Sequence, residues 1–339
     1  PVNAGSGTVT LRQSTNSKTI GLAVASGDIR ISENDLDDIT AGTIAIGDSN
    51  TGTLTIGGAL TNDDALSITS GTGIALNQNI TTSAASDAIT FTGPVSLGAN
   101  VTLGTNNGNV VFSGGTSTVD SDSSGNNRTL TITAGTGTVT LGAAVGATQA
   151  LADFDVTAQN IGVSNNVTVD AGSGGATATF NGTLQLSGNS IFDSDGTADN
   201  HLSFVAINEA DASVTSLTLS AGAGNITLGG AVDGGFGLTV NSTGTVDVNG
   251  VIGGTTPITS LTSNAGGTLD LGANVSVAGG VDVNDAVTLA SAVTLTTTNS
   301  GAVDFAGTVN GAQDLTLAAA GATVFNGTVG NTAALGDAT

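Results

Sequence analysis

The chain has 339 residues, including 52 Gly and 3 Pro but no Cys, Met, Trp or Tyr, and its formal net charge is −23. Without Cys it has no disulfide framework and no thiolate metal site, and its acidity argues against nucleic acid and anionic membrane surfaces as partners. Strong helix formers such as Lys, Glu and Gln are scarce while Thr and Val abound, a balance that favours short strands joined by glycine turns. Regular alternation of apolar and polar positions, with a positive mean hydropathy, argues against acidic disorder. No run is long and apolar enough to cross a bilayer as a helix, so membrane insertion by this segment is not expected. A chain that starts at Pro1 and lacks Met is expected to be a processed product or a stretch of a longer protein.

In chain order, residues 1–58 form a less regular N-terminal segment that carries Arg12, Lys18 and Arg30. It reads "GTVTLRQ" (7–13), "IGLAVASGDIRIS" (20–32) and "ENDLDDITAGTIAIGDSNTGTLTIGG" (33–58). Within it "SENDLDDI" (32–39) is the one plausible helical turn, near 33–39, with Ser32 as cap and acids in the first turn; it reads as a loop or one short helix protruding from the stack, with Leu36 and Ile39 tucked beneath.

From residue 59 to 339 the pattern is regular. "LSITSGTGIAL" from Leu66, "RTLTITAGTGTVTLG" (128–142), "LTLSAGAGNITL" from Leu217 and "LTLAAAGATVF" from Leu315 are variants of one phrase: an alternating triplet, a small-residue turn, a second alternating triplet. "LTL" at 217–219, "LTV" at 238–240 and "LTS" at 261–263 recur after 21 and then 23 residues. Such a unit cannot bury its apolar face alone. Stacked as the coils of an all-β solenoid (a parallel β-helix), about 20–23 residues per coil, units bury a continuous core and pair each strand with the one above. Inward columns such as Leu217, Leu238 and Leu261, and outward ladders such as Thr218, Thr239 and Thr262, are then expected about 4.8 Å apart. "ITFTGPVSLGANVTL" (89–103) and "VDVNDAVTLASAVTL" (281–295) carry three strands in too few residues for one regular coil, which points to a higher-order repeat.

The phrases "LTITAGTGTVTLGAAVG", "LTLSAGAGNITLGGAVDG" and "DLDDITAGTIAIGDSNTGTLTIGG" resemble the giant β-helical surface proteins of bacteria, the filamentous-haemagglutinin-like and autotransporter-like adhesins. The resemblance is one of repeat style over most of the chain. It implies a right-handed parallel β-helix, secreted and displayed at the cell surface.

Few residues suggest chemistry. "DSDGTADN" (193–200) sets Asp193, Asp195 and Asp199 at spacings that could wrap Ca²⁺, and "DSDSSGNN" (120–127) is an echo with Asp120 and Asp122. The competing reading is two polar loops extruded between coils, their Asp and Asn chosen for turns. No other cofactor is expected. His201, the single histidine, reads as a loop-edge residue. Asp247, Asp270 and Asp282, outward in neighbouring coils, would form an acidic ladder, yet polysaccharide-active β-helices also need basic groups and aromatic subsites. Thr-X-Thr phrases at 53–55, 138–140 and 294–298 suit an ice-binding array, but interruptions by Val, Asp and Ser favour plain strand propensity. Sequons fall at Asn79, Asn100, Asn127, Asn166, Asn181, Asn225, Asn241, Asn274 and Asn326. Phe91, Phe112, Phe180, Phe305 and Phe325 end strands and read as core fillers.

The expected function is therefore structural and non-catalytic: a segment of a cell-surface adhesin or a subunit of an extracellular fibre, with end-to-end stacking of the chain on itself into filaments. The alternative is a module that binds a cell-surface ligand through the extruded loops, and the remote alternative is a polysaccharide-active enzyme.

Overall fold

Three-residue apolar–polar–apolar runs are too short to stand as hairpins, and glycine corners between them turn the chain by less than a reversal, so each strand finds its partner one turn later. In the computed structural model, which describes all residues except Ser124, Asn126, residues 170–174, Thr197 and Ala198, every strand pairing named below is parallel. The chain is a parallel β-solenoid. It divides into two compact units, 1–171 and 172–339.

In the first unit three columns of strands surround the core. One runs through Val9, Ile44, Leu66, Ile89, Val110, Val139 and Ile161. A second runs through Ile20, Leu54, Ile74, Val95 and Val119, and isolated bridges continue it to Val145 and Val167. The third joins Leu60, Ile80, Leu103, Ile132 and Val156. Each of these inward residues is buried except Val9. The register advances by 20 residues from Leu54 to Ile74 and by 21 from Ile74 to Val95. It lengthens to 29 between Val110 and Val139, where residues 122–128 are inserted.

The second unit repeats the plan. Leu217, Leu238 and Leu261 are register partners, as are Thr218, Thr239 and Thr262, so the leucine column and threonine ladder read from sequence both exist. The other columns run through Leu202, Ile226, Val246, Leu269, Val287 and Val309, and through Ile207, Val232, Ile252, Val275, Leu295 and Leu317. Phe204 is buried between Phe180, stacked on it at 5.1 Å, and Phe192, edge-on at 5.1 Å. Phe91, Phe112 and Phe305 are likewise buried, but Phe325 is 39% exposed.

The two compressed stretches turn out to be single coils with very short corners. Val281–Val283, Ala286–Leu289 and Val293–Thr297 lie one on each column, and so do Ile89–Thr92, Val95–Leu97 and Val101–Asn106. The step from Leu269 to Val287 is only 18 residues, because Asn284 and Asp285 alone make the corner. Where a corner is this tight, backbone approaches backbone. Gly146 shows the same constraint at φ +69, where a Cβ would run into the Thr168 carbonyl, so only glycine is tolerated there.

The helical turn expected near 33–39 is the helix α1 (Glu33–Asp37). Ser32 and Asp35 close a reciprocal capping box, and Leu36 beneath it is fully buried. Helix α1 packs beside Leu60–Asn62, and the Glu33 carboxylate accepts the Thr61 N–H at 2.5 Å, standing where a strand would otherwise pair. No helix among the described residues is long and apolar enough to cross a membrane.

The Phe trio sets a measurable expectation. Phe204→Ala should destabilise the chain by about 3–5 kcal/mol, from lost burial and the cavity left behind. Val205→Ala, at a position 47% exposed, should change stability by less than about 0.5 kcal/mol. Urea unfolding followed by circular dichroism compares the two.

Candidate functional site

The sequence-predicted site residues are drawn into the walls of the solenoid rather than gathered at a centre. Asp193 ends the strand Ser190–Asp193, and its Oδ1 accepts the Asp195 N–H at 3.2 Å, an Asx turn. Asp195 Oδ2 accepts the Ser220 hydroxyl at 2.8 Å, and Asp199 Oδ1 accepts the Ala223 N–H at 2.9 Å. The ends of this loop are pulled inward. Ser194 and Asn200 are buried, and the Ser194 hydroxyl donates to the Asn200 carbonyl at 2.6 Å. In the other loop Asp120 accepts the N–H groups of Thr148 and Gln149 at 2.8 and 3.1 Å, while Asp122 binds the Arg128 guanidinium through two contacts at 3.0 and 3.2 Å. Ser124 and Asn126 of this loop, and Thr197 and Ala198 of the Asp193 loop, lie outside the described residues. Among the described residues no three His, Cys, Asp or Glu side chains are gathered so as to hold a metal ion.

The acidic ladder exists only in part. Asp247 and Asp270 are register partners in adjacent coils. Asp282 is not their neighbour: it pairs with Asp304 and Thr262 on a different column, because the short corner at Asn284–Asp285 sends the chain from one side of the coil to the next. Asn326 Nδ2 bridges to Asp304 Oδ1 at 2.8 Å, and Asn284 Nδ2 to Asp282 Oδ1 at 3.3 Å, relieving the stacked charges.

What the sequence reading missed is a recurring acceptor at the corners. Asn79 Oδ1 accepts the Thr102 N–H, Asn100 that of Thr129, Asn109 that of Thr138, Asn225 that of Thr245 and Asn274 that of Thr294, at 2.8 to 3.1 Å. Each donor lies at the asparagine's own register one coil on, where the preceding coil has already bent away and cannot offer a backbone carbonyl. A side-chain amide takes that carbonyl's place. His201 belongs to the same series: its Nδ1 accepts the Asn225 N–H at 2.7 Å. The signal was present in "NIT" (79–81), "NVT" (100–102), "NIT" (225–227) and "NVS" (274–276), which read as sequons. Asparagine immediately before an alternating strand is equally the mark of a corner acceptor.

Buried carboxyls serve the same end. At the two-residue corner, Ser263 Oγ accepts the N–H groups of Asn284 and Asp285, and Asp285 Oδ1 accepts that of Gly267 at 2.8 Å. Asp285 is 1% exposed, and burial raises its pKa, with the Gly267 N–H and the Ser263 hydroxyl acting the other way. Asp153, half-buried near the like charge of Asp155, is pushed up to about 6, chiefly by desolvation. Glu33 is raised by burial and by Asp37.

Shallow polar hollows among the described residues include two that hold acids. One, of about 300 Å³, is lined by Gln185, Asn208, Glu209, Asp233, Gly234, Thr255 and Thr256. Its acids are already engaged: Glu209 accepts the Gly235 N–H at 2.5 Å, and Asp233 accepts those of Thr255 and Thr256 at 2.7 and 3.2 Å. The other, of about 330 Å³, lies beside helix α1 between Asp37, Thr61, Asp63 and Asp64. No family model, curated protein or solved structure matches the chain.

These bonds predict a graded response. Asn225→Ala should cost about 0.5–1.5 kcal/mol and speed hydrogen exchange at the Thr245 amide, while Asn225→Asp, which keeps the acceptor, should leave that amide protected. Nuclear magnetic resonance exchange rates read both. A pH effect follows from Asp153. Its folded-state pKa is raised, so its share of stability is full below about pH 4 and is lost as pH rises through about 6. Asp153→Asn should therefore stabilise the chain at pH 7.5 by about 1–2 kcal/mol, allowing for solvent screening, and change little at pH 4. Thermal unfolding at the two pH values measures it.

Proposed function

We propose that this chain is a structural β-solenoid, a non-catalytic spacer segment of a secreted cell-surface adhesin or a subunit of an extracellular fibre. The observation that carries this reading is the use made of its polar side chains. Asp120, Asp122, Asp195, Asp199, His201 and Asp233 are each tied to the backbone or to a neighbouring side chain, mostly in the adjoining coil. Residue types that elsewhere bind ligands or move protons are spent here on holding one coil to the next. A wall of short hydrogen-bonded strands with small polar residues outside suits a stiff, soluble element whose work is spacing. Right-handed winding belongs to the same reading, since parallel strands joined by crossovers wind that way almost without exception.

Self-association end to end is part of the proposal. Thr323–Phe325 is the last strand of its column, Phe325 stacks on Phe305 at 5.2 Å, and Val324, Phe325 and Val329 are 43%, 39% and 43% exposed. An apolar strand edge of this kind is a template for a further coil from a second copy. Negative-stain electron microscopy of the purified chain tests this. Linear assemblies that shorten on Phe325→Asp are expected, and discrete particles unaffected by that change would overturn the reading.

A further inference from the structure

Five asparagines stand directly before a glycine: Asn107, Asn181, Asn249, Asn310 and Asn326. Glycine has no side chain to obstruct ring closure between its own nitrogen and the preceding asparagine. In that reaction the glycine backbone nitrogen loses its proton and attacks the asparagine Cγ. A C–N bond forms, the Cγ–Nδ2 bond breaks, and ammonia departs, leaving a succinimide. Water then opens the ring at either carbonyl, giving aspartate or its β-linked isomer. No reactant other than water is needed, so the folded geometry decides which site reacts. The side chain must be free to swing onto the following peptide nitrogen, and that nitrogen must be free to move.

The solenoid restrains four of the five. Asn107 Oδ1 accepts the Thr136 N–H at 3.0 Å, and its amide donates to Asn106 at 3.2 Å. Asn310 Oδ1 accepts the Thr332 N–H at 2.9 Å. Asn326 Nδ2 donates to Asp304 at 2.8 Å. After Asn249, the Gly250 N–H is held by the Leu228 carbonyl at 3.2 Å, and its Cα sits so close to Gly230 that a Cβ would collide with that backbone.

Asn181 is different. It is exposed, and its side chain makes no hydrogen bond among the described residues. It also lies where the ladder breaks. Phe180 pairs with Phe204 and Thr183 with Ala206, so Asn181 and Gly182 together oppose the single residue Val205. This is a β-bulge, with an extra residue released from regular pairing. We infer that Asn181 is the site at which this chain deamidates spontaneously, placing a new carboxylate or a β-linked residue in the bulge of the second unit.

The full folded chain, incubated at about pH 8 and about 37 °C, is to be mapped by peptide mass spectrometry with enzymatic labelling of isoaspartate. Asn181 should lose ammonia at least about tenfold faster than each of the other four, a ratio worth about 1.4 kcal/mol of protection. In the urea-unfolded chain all five should react within a few-fold of one another. Asp304→Ala should release Asn326 and raise its rate while leaving Asn181 unchanged. The inference is overturned if folded Asn181 reacts no faster than Asn107 or Asn326, or if freeing Asn326 has no effect.

Discussion

The structure depends on one constraint: each short strand must satisfy its backbone N–H and C=O groups with the coil before and the coil after. A buried peptide group left unpaired costs more than a single stacked apolar contact returns. A three-residue strand cannot meet this demand within its own segment. Once one coil is laid down, the register of the next is dictated by it, and side chains fall into columns as a consequence. Leu217, Leu238 and Leu261 stack because their peptides pair, and their burial in turn drives the pairing.

The corners are where this arrangement is most exposed to failure, and there the sequence supplies particular chemistry. Parallel pairing ends as the chain bends, leaving N–H groups that point toward an empty space. Asn79, Asn100, Asn109, Asn225 and Asn274 fill those spaces with a side-chain carbonyl, and His201 does the same with a ring nitrogen. At the tightest corner a buried carboxyl, Asp285, takes the part of the missing residues. Part of the acidity thus answers the repeated need for oxygen acceptors, as at Asp120, Asp233 and Asp285.

Much of this was legible in the sequence. Period-two alternation named the strands, and the recurrence of "LTL", "LTV" and "LTS" gave the register at 217–263. The Ser32 cap and the acids after it gave helix α1. What was not legible depended on partners a coil away. The notion that Asp282 extends the Asp247–Asp270 ladder failed because spacing along the chain does not say which side of a coil a strand occupies when a corner has two residues. The aspartates at 193–199 have the spacing of cation ligands, and nothing in that spacing announces that Asp195 and Asp199 also accept from Ser220 and Ala223, about 25 residues on. Local spacing does not show the partners that a carboxylate finds in the neighbouring turn.

Helix α1 has a consequence for direction. It stands on the outer edge of Leu60–Asn62, and the Glu33 carboxylate occupies the N–H of Thr61 that an incoming strand would require. That column is thereby closed on the helix side, and its pairing runs one way, toward Ile80–Ala85. One side chain thus does at this edge what a whole strand does elsewhere: it ends the ladder without leaving the Thr61 donor bare.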